Sequence, residues 1–202
     1  MKTREGKGTR PTDARSREML FNILGERVIG TRFLDLYAGS GSVGLEALSR
    51  GAEFCVFVEQ NAAAAHAIRQ NVKACGWKER AEVWHSSVKS ALHRLQELLA
   101  KPEHADEARF DLVFADPPFT NLRELPDLCA RLDKSAQIVQ RPDGLLIVQH
   151  HRKAEFQSKQ FIIQQQRRAG ESLLTFAVPH EPSQNDSEAP NSPIEPETND
   201  LS

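Results

Sequence analysis

No apolar run in the 202-residue sequence approaches the roughly 20 residues that a membrane-spanning helix needs. The first ten residues, MKTREGKGTR, are charged and lack an apolar segment, which argues against a secretory signal. There is no C-x-x-C pair, and the three cysteines (Cys55, Cys75 and Cys129) lie far apart. An odd, scattered set points to reduced thiols in the cytoplasm rather than to a disulfide framework or a zinc ribbon. His150 and His151 are adjacent, so along a strand they face opposite ways, and no third ligand sits nearby. No metal is expected. Residues 180–202 contain no Lys or Arg, but hold six acidic residues and four of the eleven prolines. A stretch so poor in apolar groups cannot offset the entropy of ordering, and a disordered acidic tail is expected there. Without it the chain has 26 basic against 22 acidic residues, a formal +4 that permits a nucleic-acid partner without requiring one.

Between a basic arm (1–11) and the tail, residues 12–179 are long enough for one domain. Within it, apolar strand-like runs alternate with helix-like segments. A helix capped at Thr12 or Asp13 runs to Leu24. The strands are RFLDLYA (32–38), FCVFVE (54–59), AEVWHS (81–86), FDLVFAD (110–116) and GLLIVQH (144–150). Helices are expected over 42–51, 61–76 and 87–100, a polar loop at 101–109, and a mostly helical stretch at 121–140 with Pro126 near its start. FIIQQQRR (161–168) and SLLTFAV (172–178), joined around Ala169-Gly170, suit a closing antiparallel pair. Short apolar strands alternating with helices predict an α/β fold, a mostly parallel doubly wound sheet with that hairpin at its edge.

Gly39-Ser40-Gly41-Ser42-Val43-Gly44 satisfies G-x-G-x-x-G between the first strand and its helix. A turn of this kind lets backbone approach a ligand closely. Glu59 ends the second strand, where an acid accepts hydrogen bonds from ribose hydroxyls of either a dinucleotide or S-adenosylmethionine (SAM). Asp35, four residues before Gly39, separates the two readings. An acid there suits a cationic amino-acid tail better than a pyrophosphate, and Gly44 then serves helix packing.

The stretch FDLVFADPPF carries Asp116 to the sheet's C-terminal edge. Pro117 and Pro118 fix φ and remove two N–H donors, leaving carbonyl acceptors in a rigid turn. Asp116, the Pro117 carbonyl and the Phe119 ring make a receptor for a planar base bearing an exocyclic amine. Two acceptors hold the two N–H bonds, and the ring stacks on the base for about 1–3 kcal/mol.

With these residues placed, the chain resembles the RsmD family of bacterial ribosomal RNA methyltransferases, which act on the N2 amine of a guanine in 16S rRNA. The matching text is RPTDARSREMLFNIL (10–24), FLDLYAGSGSVGLEALSRGA (33–52), FVEQN (57–61), FDLVFADPPF (110–119) and RRAGESLLTF (167–176). The resemblance implies a seven-stranded, Rossmann-like class I fold that binds SAM and releases S-adenosyl-L-homocysteine, without a metal. It places Asp35, Gly39, Ser40, Gly41 and Glu59 around the cofactor, and Asp116, Pro117 and Phe119 around the target base. Ser87 stands where the family often has an adenine-contacting Asp, and Gln149 stands where the fifth strand typically ends in Glu. Arg10, Arg15 and Arg17 are candidate RNA phosphate contacts, with a solvated basic face as the equal alternative. The implied partner is 16S rRNA within a small-subunit assembly particle, met by a monomer and away from membranes. Adenine-N6 methylation, an NAD(P)-dependent oxidoreductase and a non-catalytic RNA-binding assembly protein are the competing readings.

Overall fold

The computed structural model describes residues 14–118, 124–140 and 143–180. The N-terminal arm with Arg10, the caps Thr12 and Asp13, Phe119, and the tail beyond His180 lie outside the described residues. Seven strands form one sheet: β1 (Arg32–Asp35), β2 (Phe54–Glu59), β3 (Ala81–His85), β4 (Leu112–Ala115), β5 (Leu145–His151), β6 (Phe161–Ala169) and β7 (Ser172–Pro179). Their spatial order is β3-β2-β1-β4-β5-β7-β6. The first five are parallel, and β7 inserts antiparallel between β5 and β6.

Among the described residues five α-helices accompany them: α1 (Ala14–Leu24), α2 (Ser42–Ser49), α3 (Ala62–Ala74), α4 (Val88–Leu99) and α5 (Glu124–Lys134). Strand alternation divides the apolar residues between two cores. Phe33, Cys55, Phe57, Leu112, Phe114, Leu145, Ile147 and Leu174 pack with α1, α2 and α3. Leu34, Val56, Val58, Val113, Ala115, Leu146 and Val148 pack on the opposite face with α4 and α5. Burial on both faces is why these strands read as continuous apolar runs.

One expectation needs correction. Residues 101–109 are not an open loop; a 3-10 helix spans Pro102–Ala108, begun by a proline whose fixed φ suits a first helical turn. Within 121–140, read as mostly helical, α5 spans Glu124–Lys134 and a 3-10 turn follows at Ala136–Ile138. Beyond it Phe110 pairs with Val139, donating to Ile138 and accepting from Gln140 at 2.8 Å each, which holds the chain extended.

Candidate active site

β1 sits where the strand order reverses, with β2 on one side and β4 on the other. Helix α2 leaves β1 on one face, and α5 follows β4 on the other. A crevice at the C-terminal ends of β1 and β4 is the consequence, the place where open α/β sheets bind ligands. Four polar side chains converge on it by one device. Asp35 follows Phe33 by two residues, Glu59 follows Phe57, Asp116 follows Phe114 and Gln149 follows Ile147. The leading residues all face α1–α3, so the four polar groups share that face.

Asp35 is 1% exposed. One carboxylate oxygen accepts from the Gly44 amide at 3.2 Å, near the N-terminus of α2, and the other is buried without a hydrogen-bond partner. Burial, reinforced by the charges of Asp116 and Glu59 and opposed by the Gly44 N–H, pushes its pKa up to about 7. Glu59 accepts from the Gly39 amide at 2.7 Å and the Asn61 amide at 2.6 Å. It therefore holds the glycine turn in place, while a carboxylate with about four lone-pair sites keeps capacity for further donors.

Gly39 (φ 53°) and Gly41 (φ 79°) are left-handed, so both need the freedom of glycine. A Cβ on Gly41 would also meet Ile68 at 2.9 Å. Ser40 is exposed between them. Gly44 lies inside α2, where a Cβ would meet the Phe57 ring at 2.3 Å and the Cys55 sulfur at 2.7 Å. Close approach of helix to sheet is its task. Tyr37, just before the turn, donates from its hydroxyl to the Glu124 carboxylate at 3.2 Å. It thereby ties the glycine turn to the start of α5. Burial, then the Glu124 charge, raises the Tyr37 pKa further above its ordinary value.

Ser87 lies just past the end of β3, at the N-terminus of α4. Its Oγ caps α4, accepting from the Ser90 amide at 3.2 Å, with the Ser90 hydroxyl 3.0 Å away. Asp116 is half-buried and Pro117 buried at the end of β4. The Gln149 amide donates from Nε2 to Asp116 Oδ2 at 3.2 Å, a pairing that no motif in the sequence signals. Arg17 pairs with Glu46 of α2 at 2.7 Å, and Arg15 is exposed. His150 is buried against the Thr175 hydroxyl at 2.8 Å, and desolvation is the main cause of its lowered pKa.

The donor set fits SAM. An orphaned buried carboxylate oxygen on Asp35 suits an ammonium, the left-handed glycines leave room for close backbone approach, and Glu59 offers ribose an acceptor. This sheet order, with a crevice at the C-terminal end of β1, defines a class I SAM-dependent methyltransferase fold. The chain belongs to the family described as "Conserved hypothetical protein 95", the RsmD family, whose profile matches residues 1–178. It is 34% identical over 155 residues to YlbH of Bacillus subtilis, whose rRNA-methyltransferase name is provisional, covering 77% of this chain and 78% of that protein. It is 39% identical over 114 residues to ribosomal RNA small subunit methyltransferase D of Haemophilus influenzae. That match covers 55% of this chain and about half (54%) of the Haemophilus protein. Among solved structures, yhhF of Escherichia coli, also provisionally named a methyltransferase, aligns with a TM-score of 0.66 at 26% identity. The alignment covers 86% of this chain and 89% of that one.

Proposed function

We propose that the protein methylates the exocyclic N2 amine of a guanine in 16S ribosomal RNA, in the cytoplasm and within a small-subunit assembly particle. The observation that carries the reading is the placement of Asp116, two residues past Phe114, at the end of the strand beside Asp35 and on the same face of the sheet. SAM, when bound, supplies an electrophilic methyl group. Asp35, the Gly39-Ser40-Gly41 turn and Glu59 would hold it. The Asp116 carboxylate and the Pro117 carbonyl accept the two N–H bonds of the amine and fix the direction of its lone pair, with Phe119 stacking on the base. No strong base is needed before attack, because the nitrogen becomes acidic only once alkylated; Asp116 is then in place to take the proton. Holding the reactants in attack geometry accounts for up to about 7–11 kcal/mol of barrier lowering.

An RNA partner also suits the rim of the crevice. Arg152, Lys153, Arg167 and Arg168 are exposed at the edge where β5 and β6 end and β7 begins. Glu171 is the acid among them, paired with Arg152 at 2.9 Å. Gln149 pairs with Leu174, which pairs with Arg167, so a row runs from Asp116 across the sheet to Arg167. Three strand spacings make that roughly 14 Å, within reach of a phosphate near the target nucleotide. These arginines are stronger candidates for RNA contact than Arg17, whose charge Glu46 engages.

The deciding experiment treats small ribosomal subunits from a strain lacking the enzyme with labelled SAM and identifies the modified nucleoside. N2-methylguanosine is expected, whereas N6-methyladenosine or no transfer would overturn the reading. The variant Asp116→Ala should abolish transfer and bind SAM with near wild-type affinity; retained transfer would remove Asp116 from the mechanism.

A further inference from the structure

Gln149 is the one member of the polar row that the methyl-transfer reading leaves without a task. It is 4% exposed, and its Nε2 donates to Asp116 Oδ2 at 3.2 Å. Only the nitrogen end of an amide can donate to a carboxylate, so the bond fixes which way the group faces. The other end, Oε1, is buried and has no hydrogen-bond partner. The two ends are one bond angle apart, so this acceptor lies beside the Asp116 carboxylate. A buried acceptor left unpaired costs about 1–3 kcal/mol, a cost that a donor arriving with a ligand removes.

With Asp116 and the Pro117 carbonyl, Gln149 Oε1 makes a third acceptor at this end of the sheet. Purines differ in how they meet such a set. Guanine carries an N1–H donor directly beside its N2 amine. Adenine carries an N1 acceptor beside its N6 amine and would set a lone pair against Oε1. We propose that Gln149 selects guanine, its Oε1 accepting the N1–H of the target base while Asp116 and the Pro117 carbonyl hold the amine. This inference rests on the methyl-transfer reading above. Glutamate in its place would lose the donor to Asp116 and bring two carboxylates into hydrogen-bond range, where one would retain a proton. The amide gives the same hydrogen-bonding pattern with no proton to lose.

The test compares guanine with 2-aminopurine, which keeps the 2-amine but has an acceptor at N1. 16S rRNA carrying either base at the methylated position is prepared by splinted ligation, reconstituted with small-subunit proteins, and assayed with wild type and Gln149→Met. Wild type should prefer guanine by about 10–100-fold in kcat/KM, the value of one buried hydrogen bond between matched groups. In Gln149→Met the preference should shrink to a few-fold. Loosening Asp116 lowers transfer to both bases alike, so only removal of the hydrogen bond at N1 changes the ratio. A ratio unchanged in Gln149→Met overturns the proposal. So does a wild type that methylates the two bases equally, a result that needs no variant to fold. A wild type that modifies neither base overturns the methyl-transfer reading itself, and the proposal with it. SAM affinity and melting temperature, expected to stay near wild type in Gln149→Met, show that the variant is intact.

Discussion

Asp35 holds a carboxyl group that burial pushes from 3.8 to about 7. Between those values the folded protein keeps a proton that the unfolded chain has released. Its contribution to stability is therefore full below about pH 4 and is lost as the pH rises through about 7. Asp35→Asn keeps the shape and removes the titration. Urea unfolding at pH 5 and pH 8 should show wild type losing more stability over that interval than the variant; equal losses would place the titration elsewhere. The same substitution should weaken SAM binding, which equilibrium titration measures. Asp35, Glu59 and Asp116 were legible because each stands at the end of an apolar strand beside a local signal, the glycine turn or the Pro-Pro pair. Gln149 also follows an apolar run, but its significance comes from a partner 33 residues away, which no local pattern contains. Ser87 carries a second local signal: a serine directly before an apolar helical run is an N-cap signal, and its Oγ caps α4.

The glycine turn works because α2 lies close against β2. Gly44 has no room for a methyl group, since the Phe57 ring and the Cys55 sulfur occupy its place. Gly44→Ala should cost about 1–3 kcal/mol, the usual range for overpacking, read as a lower denaturant midpoint at unchanged slope. Because the Gly44 amide also holds Asp35, the variant should bind SAM more weakly; wild-type stability with wild-type affinity would show that α2 moves aside freely. Boundaries of the elements followed from their caps where the caps are local. Asn61 accepts from the Ala64 amide at 3.0 Å and starts α3 where its side chain predicts. The end of α5 could not be read the same way. Residues 135–140 leave the helix because Phe110, far away in sequence, pairs with Val139, and that competition is decided between elements.

Across the whole molecule, the sheet's C-terminal edge divides into an acidic crevice over β1, β2 and β4 and a basic rim over β5, β6 and β7. Charge reversal of the rim, Arg167→Glu with Arg168→Glu, should weaken binding to small-subunit rRNA broadly. The salt slope of log K should fall by about 1 for each phosphate that is no longer neutralised. SAM affinity should not change, since neither residue lies near the glycine turn. Filter binding over a salt series checks this, and an unchanged slope would move the RNA footprint off the hairpin. The formal charge of +4 for residues 1–179 concealed this division, because a sum does not say on which edge the charges lie.

The order of the elements, the parallel sheet and the residue types at its ligand-binding edge are written locally along the chain. Strand alternation, helix caps and proline-fixed turns act over a few residues, so the chain carries their outcome locally. Contacts between elements set the rest: Glu59 clamps the glycine turn, Glu46 engages Arg17, and Gln149 turns its donor rather than its acceptor to Asp116. Each of these joins side chains brought together by strand order and register, and a hydrogen bond's direction is set only when both partners are in place.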